Sequence, residues 1–323
     1  MFQYLIRRLL WAGVLFLAVT MVTYVIFFLV PASPARLAAG QSATPERVAE
    51  VERFLGLDDP VYIQYANFLK RLVVDGSLGQ SFITRQSVNE EIFRAAPITA
   101  SLVFGGMIMV LLVALPLGIF SALRPRSLLD RGAMTYVLIG ISLPSFWIGL
   151  VLSYFIGYKW GLTPIAGYCE VVSVPEAAVC GGFTDWAYRM ILPWATLSIV
   201  TAGTYVRFVR AEVMETMNQD YVRTARAKGA PERQVMRSHI LRNAMLPVVT
   251  MIGMDIGILL GGSILIETVF GLPGLGGTAF ESVGRYDLPT LQGVVIFGAI
   301  AIIVFTLIVD LLYAWIDPRI RLT

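Results

Sequence analysis

Apolar residues dominate six stretches of the chain, at 9–30, 98–123, 133–158, 190–209, 246–270 and 291–316. A helix that crosses the hydrocarbon core of a bilayer needs about 20 predominantly apolar residues. Each stretch meets or approaches that length, so the pattern predicts six membrane-spanning helices. The first follows Arg7 and Arg8 in the manner of a secretion signal, but it outruns the apolar segment of a signal, about 7–15 residues. It is read as an uncleaved anchor. Two long polar segments lie between spans. In 31–97, Thr44-Pro45-Glu46 offers an N-cap, a first-turn proline and an acid matched to the helix dipole. A second helix is expected to start at Pro60 and to end at Asp75-Gly76. The 159–189 loop carries both cysteines.

Composition supports this picture. Hydrophobic residues make up 57% of the 323 positions and charged ones 15%, whereas soluble domains carry about 45–50% and about 25%. Mean hydropathy is +0.73. A disordered chain, a nucleic-acid-binding protein and an ordinary soluble enzyme are excluded. Cys169, Cys180 and His239 are the whole Cys and His complement and cannot form a metal cluster with ligand spacing. Lys70, Lys159 and Lys228 all lack the flanking Gly and Ser or Thr of a phosphate-binding loop. No hydrolysis of ATP by this chain is expected, and it needs no cofactor of its own.

Six spans place both termini on one side. Most of the 25 Lys and Arg lie on the side of the termini and of the 124–131 and 207–242 segments. Basic residues in short loops mark the cytosol, so both termini are expected to be cytosolic, with 31–97 and 159–189 outside. Cys169 and Cys180 then sit in an oxidising environment and are expected to form a disulfide.

The cytosolic segment 212–245 has the most informative sequence. Tyr221-Val-Arg-Thr-Ala-Arg-Ala-Lys-Gly229-Ala-Pro231-Glu232 reads as helix, break, helix. Arg226 and Lys228 suit a helix C-terminus, and Gly229 supplies the left-handed residue that stops it. Pro231 and Glu232 then fit the first turn of the next helix. Pro247 is expected to open the fifth span.

This segment, with His239 and Arg242-Asn243-Ala244, resembles the EAA loop of binding-protein-dependent ABC importer permeases, in the wording of the dipeptide, oligopeptide and nickel group and of its "B"-type subunit. Four other regions agree: Arg7-Arg8-Leu9-Leu10; Leu55-Gly56-Leu57-Asp58 with Gly76-Ser77-Leu78-Gly79-Gln80-Ser81; Ile266-Glu267-Thr268-Val269-Phe270 with Pro273-Gly274; and Asp310-Leu311-Leu312-Tyr313 with Asp317-Pro318-Arg319. Arg223, Thr224 and Ala225 stand where the general loop has Glu-Ala-Ala, and Ser77 stands where the external motif usually has Asp.

The resemblance implies an all-α membrane protein with the type I ABC importer permease (MetI-like) fold. Residues 1–97 would be the first span and an external segment, and 98–323 a five-helix core in the bacterial cytoplasmic membrane. Such a permease pairs with a homologous "C"-type permease, and two cytosolic ATPases bind the ATP and Mg. An extracytoplasmic binding protein delivers the substrate. Ala225, Ala227, Lys228, Gly229, Ala230, Pro231, Glu232 and His239 would form the coupling element that meets an ATPase. Membrane lipid is a partner and nucleic acid is not. Peptide import competes with nickel, glutathione or sugar-oligomer import by the same machinery. An ATP-independent secondary transporter is the alternative of a different class; the inverted repeats expected of one are not visible.

Within the fifth span Gly253, Gly257 and Gly261 share one face at the spacing that lets helices approach closely. Asp255 is either a pathway residue or a hydrogen-bonding partner of the second permease, and Asp310 is assigned a structural partner. Glu267 is placed near the outer end of the span, where water solvates it.

Overall fold

The computed structural model describes residues 2–29, 34–39, 43–54, 59–171 and 182–316. Among the described residues the regular structure is helical, joined by turns and irregular segments, and one isolated antiparallel bridge pairs Gln80 with Ser87. The helices are α1 (Phe2–Tyr24, continued by a π turn over Val25–Leu29), α2 (Pro34–Ala39), α3 (Pro45–Phe54), α4 (Val61–Val73), α5 (Val88–Leu123), α6 (Leu128–Ser142) and α7 (Ser145–Leu152, with a π turn over Ser153–Lys159). They continue as α8 (Phe183–Met217), α9 (Asp220–Ala227), α10 (Glu232–Gln234, with a π turn over Val235–Leu241), α11 (Arg242–Leu260), α12 (Ile264–Phe270), α13 (Leu275–Arg285) and α14 (Leu288–Ile316).

Four helical runs among the described residues are long and apolar enough to span a membrane: Ile6–Leu29, Val88–Leu123, Glu232–Leu260 and Leu288–Leu312. A fifth appears if the bent pair α6–α7 counts as one. The chain is therefore an all-α, multi-span membrane protein, and two of the expected spans, the third and the fifth, need correction. The third is not one straight helix. It breaks at Leu143-Pro144 and turns by 105°, with Leu143 extended at φ −100°, ψ 133°. A proline disfavours the helical conformation of the residue before it. The fourth lies in the 35-residue helix α8, whose uncharged part carries Pro193, Thr196, Ser198, Thr201 and Thr204. Its Met190, Leu192, Leu197, Tyr205, Val206 and Val209 are buried by protein, so the helix is less apolar than one surrounded by lipid. The fifth is two helices, α11 and α12, separated at Gly261-Gly262-Ser263, where Gly262 has φ +120°. Pro247 lies inside α11 and does not open it.

The chain forms two compact units. The first comprises Met1–Thr99, Gly257–Ile264 and Pro273–Leu307. In it α1 meets α4 through a ring cluster: Tyr24 stacks on Phe28 at 5.2 Å and lies 5.4 Å from Phe68, and the Tyr24 hydroxyl donates to Gln64 Oε1 at 2.8 Å. α3 starts at Pro45, after Thr44, as the polar pattern predicts; α4 starts just after Pro60 and ends at Val73, slightly short of the expected Asp75-Gly76, where Gly76 has φ +61°. The Glu46 carboxyl sits below its ordinary pKa range, held by its own backbone N–H and by the Thr44 hydroxyl. Val88, Ile92 and Ala95 of α5 bury against Leu275, Ala279 and Val294. Asp287, at the start of α14, accepts from Ser81 Oγ at 2.5 Å, Phe82 N at 2.9 Å and Thr290 Oγ1 at 3.0 Å. That fastens the Gly76–Ser81 motif to the last helix. A Cβ on Gly257 would come within 2.9 Å of the Ile302 backbone, and one on Gly298 within 2.9 Å of Gly261. The glycines thus let α11 and α14 approach at backbone distance.

The second unit comprises Ala100–Ile256, Leu265–Leu272 and Ile308–Thr323, and α8 contributes a long row of buried residues to it. α6 packs on α8 at Gly140, where an added Cβ would meet the Ile199 carbonyl at 2.7 Å. Trp194 Nε1 donates to the Ser101 carbonyl at 2.9 Å, tying α8 to α5.

Candidate coupling element and pathway residues

The 220–241 hairpin is built as its sequence requires. α9 stops in a Schellman motif: Gly229 N bonds to Arg226 O at 3.0 Å, and Ala230 N to Ala225 O at 3.2 Å, with Gly229 at φ +79°. Pro231 caps α10 with φ −64°, ψ 142°, one position earlier than the first turn expected for it. Arg226 closes the break, its Nη2 lying 2.7 Å from Glu232 Oε1 and its Nε 3.1 Å from Oε2. Behind the break, Val222, Val235 and Ile240 are fully buried and anchor both arms. Asn243 Nδ2 links them again by donating to the Tyr221 hydroxyl at 3.1 Å.

Ala227, Lys228, Gly229, Pro231 and Glu232 are exposed at the tip, and Ala225, Ala230 and His239 are partly exposed. The structure therefore brings the named residues of 225–232 into one solvent-facing knob, while His239 lies about two turns further along the second arm. The knob stands on a buried base, and its second arm belongs to the continuous helical run Glu232–Leu260 that includes α11.

Three features escaped the sequence reading. The first is a polar clamp at Asp130. Arg210 Nε lies 2.8 Å from Asp130 Oδ1, and Nη2 lies 3.2 Å from Oδ2. The Ser121 hydroxyl also donates to Oδ1, and the Arg126 backbone N–H to Oδ2 at 2.8 Å. Asp130 is buried and Arg210 is mostly so, so the pair ties the α5–α6 turn to α8. The only signal in the sequence was a lone acid in a basic loop. The second is Tyr205, fully buried, whose hydroxyl donates to Asp255 Oδ2 at 2.7 Å. The third is the burial of Glu267, at 0% exposure. This corrects the expectation of a solvated carboxyl: Glu267 lies on the short helix α12, where Ile266 and Phe270 are buried beside it.

Of the remaining expected positions, Gly253 and Gly257 are buried, and Gly261, Asp255 and Asp310 are partly exposed. Cys169 is buried, at 2%, whereas Cys180 lies outside the described residues. So do Leu55-Gly56-Leu57-Asp58 and Asp317-Pro318-Arg319, and with the latter the C-terminus, for which a cytosolic position is expected. Among the described residues no group of His, Cys, Asp and Glu could hold a metal.

The described residues form a multi-span helical chain that carries a polar hairpin at 220–241. Residues 114–322 match the family described as binding-protein-dependent transport system inner membrane component, and residues 1–103 match its N-terminal companion family. The chain belongs to this family: it is a multi-pass inner-membrane permease and not an ATPase. It is 37% identical to the dipeptide transport system permease protein DppB of Escherichia coli (strain K12), over 99% of both chains. It is 34% identical to DppB of Alkalihalophilus pseudofirmus, over 99% of this chain and 100% of that one. A crystal structure of an amino acid ABC transporter with histidines aligns at a TM-score of 0.47 and 18% identity, covering 72% of this chain and 94% of that one.

Proposed function

We propose that this permease imports di- and oligopeptides and forms the translocation pathway with a second, "C"-type permease. Two cytosolic ATPases bind ATP and Mg and drive it, and an external binding protein delivers the peptide. In this reading 1–97 is the anchor span and external segment and 98–323 is the MetI-like core. The six spans include the bent α6–α7 pair and the hydroxyl-rich α8, and both termini are cytosolic. Cys169 and Cys180 form an external disulfide that holds the 159–189 loop together.

One observation carries the mechanism: the Schellman-stopped hairpin whose tip is exposed and whose base is buried. Ala225, Ala227, Lys228, Gly229, Ala230, Pro231 and Glu232 seat in a groove of an ATPase subunit, with His239 packing at its margin. Closure of the ATPases on ATP pushes the knob, and the continuous Glu232–Leu260 run carries the motion into the bilayer. Gly253, Gly257 and Gly261 keep α11 closely packed as it moves, while Asp255, Glu267 and Asp310 supply polar contacts within the bundle.

The reading is tested by reconstituting the permease pair with its ATPases and binding protein in proteoliposomes and following labelled dialanine. Uptake that requires ATP and binding protein is expected. Uptake that persists without ATP would instead indicate a secondary transporter.

A further inference from the structure

α11 carries a single carboxylate, Asp255, within its apolar length. One face of the helix is buried, at Gly253, Ile256, Gly257 and Leu260. The opposite stripe is Met251, Met254, Asp255 and Ile258, at i, i+3, i+4 and i+7. Met254 is 51% and Ile258 57% exposed, and Met251 and Asp255 are partly exposed. Tyr205, buried on α8, holds Asp255 Oδ2 at 2.7 Å. The other oxygen, Oδ1, has no partner among the described residues.

A carboxylate on a lipid-facing stripe is strongly disfavoured, and such groups face a bundle interior or a watery cavity. Tyr205 already satisfies one oxygen from within the chain, so the second is left for something that comes and goes. The flanking methionines are unbranched and polarisable, and surfaces of this kind accept side chains of many shapes. We propose that Asp255, oriented by Tyr205, receives the cationic α-ammonium group of the peptide during translocation, with Met251 and Met254 accommodating its variable side chains. The inference rests on the peptide reading above.

The chemistry suits that substrate class. Every peptide with a free N-terminus carries an ammonium group whatever its side chains, so one carboxylate can recognise them all. An ammonium donates charge-assisted hydrogen bonds to a carboxylate. A single such contact beside apolar walls binds weakly enough to let go, as conduction requires.

The test uses the complete complex in proteoliposomes, with dialanine as the probe. Assembly is checked by co-elution of all subunits. Asp255→Asn is expected to lower uptake at least about tenfold, as loss of a charge-assisted hydrogen bond would, and Asp255→Glu to retain part of it. Asp255→Cys should be equally impaired and then regain uptake with the anionic 2-sulfonatoethyl methanethiosulfonate, but not with the cationic trimethylammonium-ethyl reagent. Wild-type complex treated in parallel controls for Cys169 and Cys180. A purely structural carboxylate does not predict rescue by charge. Uptake within twofold for Asp255→Asn, an Asp255→Cys thiol that does not react from water, or equal rescue by both reagents overturns the proposal. Should Asp255→Asn fail to assemble, Tyr205→Phe decides: a raised KM for dialanine is expected, and an unchanged KM overturns it. Failure of the wild-type complex to import dialanine overturns the peptide reading, and this inference with it.

Discussion

Replacing Gly229 by valine isolates the coupling geometry from everything else in the molecule. Gly229 sits at φ +79°, and an added Cβ would meet nothing within 4 Å, so the substitution creates no clash. Its cost is conformational. A left-handed backbone costs an L-residue about 1–2 kcal/mol, and a β-branched side chain lies at the upper end of that range or beyond it. Relaxing to a right-handed conformation would give up the Gly229–Arg226 and Ala230–Ala225 hydrogen bonds and redirect Pro231. The Arg226–Glu232 pair is exposed on both sides and contributes about 0–1 kcal/mol, too little to hold the break. A penalty of about 1–2 kcal/mol lowers the population of the seated geometry by about 5- to 30-fold. Uptake by Gly229→Val in reconstituted complexes should fall by that factor with normal amounts of assembled permease, and binding protein should cease to stimulate ATP hydrolysis. Gly229→Ala should be intermediate. Gly229→Asn should stay within about threefold of wild type, because asparagine tolerates the left-handed region. Uptake within twofold of wild type for Gly229→Val, or equal damage from Asn and Val, would refute the reasoning.

Three further outcomes are expected. A membrane-impermeant thiol reagent applied from outside should label a Ser77→Cys variant and spare Ala230→Cys; the reverse pattern inverts the orientation. Asp130→Ala should destabilise the permease by about 3 kcal/mol, because it strands Arg210, the Ser121 hydroxyl and the Arg126 N–H together. That is the low end of the about 3–5 kcal/mol for a broken buried pair, since Arg210 keeps 25% of its side-chain exposure. Thermal melting in detergent reads the loss, and an unchanged midpoint would show the clamp to be idle. Alkylation without reductant should leave Cys169 and Cys180 unmodified, and two labelled thiols would remove the disulfide.

Hydropathy alone announced a multi-span membrane protein, because crossing a bilayer imposes a length and an apolarity that nothing else in a soluble chain imitates. The helix stop at Gly229 and the caps at Thr44 and Pro60 were equally legible, since each depends on backbone chemistry within one turn. Family membership, too, was written in short local motifs such as 221–229. What tertiary structure decided lies where residues distant in sequence meet. The 105° turn between α6 and α7 escaped the hydropathy reading, because the residues on both sides of Leu143-Pro144 are apolar and read as one span. α8 tolerates its hydroxyls and Pro193 because neighbouring helices cover it instead of lipid, which a hydropathy reading cannot anticipate. The burial of Glu267 on α12 depends on what packs around that helix, which an apolar run does not show. Asp130 with Arg210, and Asp255 with Tyr205, join residues 80 and 50 positions apart. A sequence shows that a carboxylate stands in a costly place, and only the fold shows which donor has been brought to it.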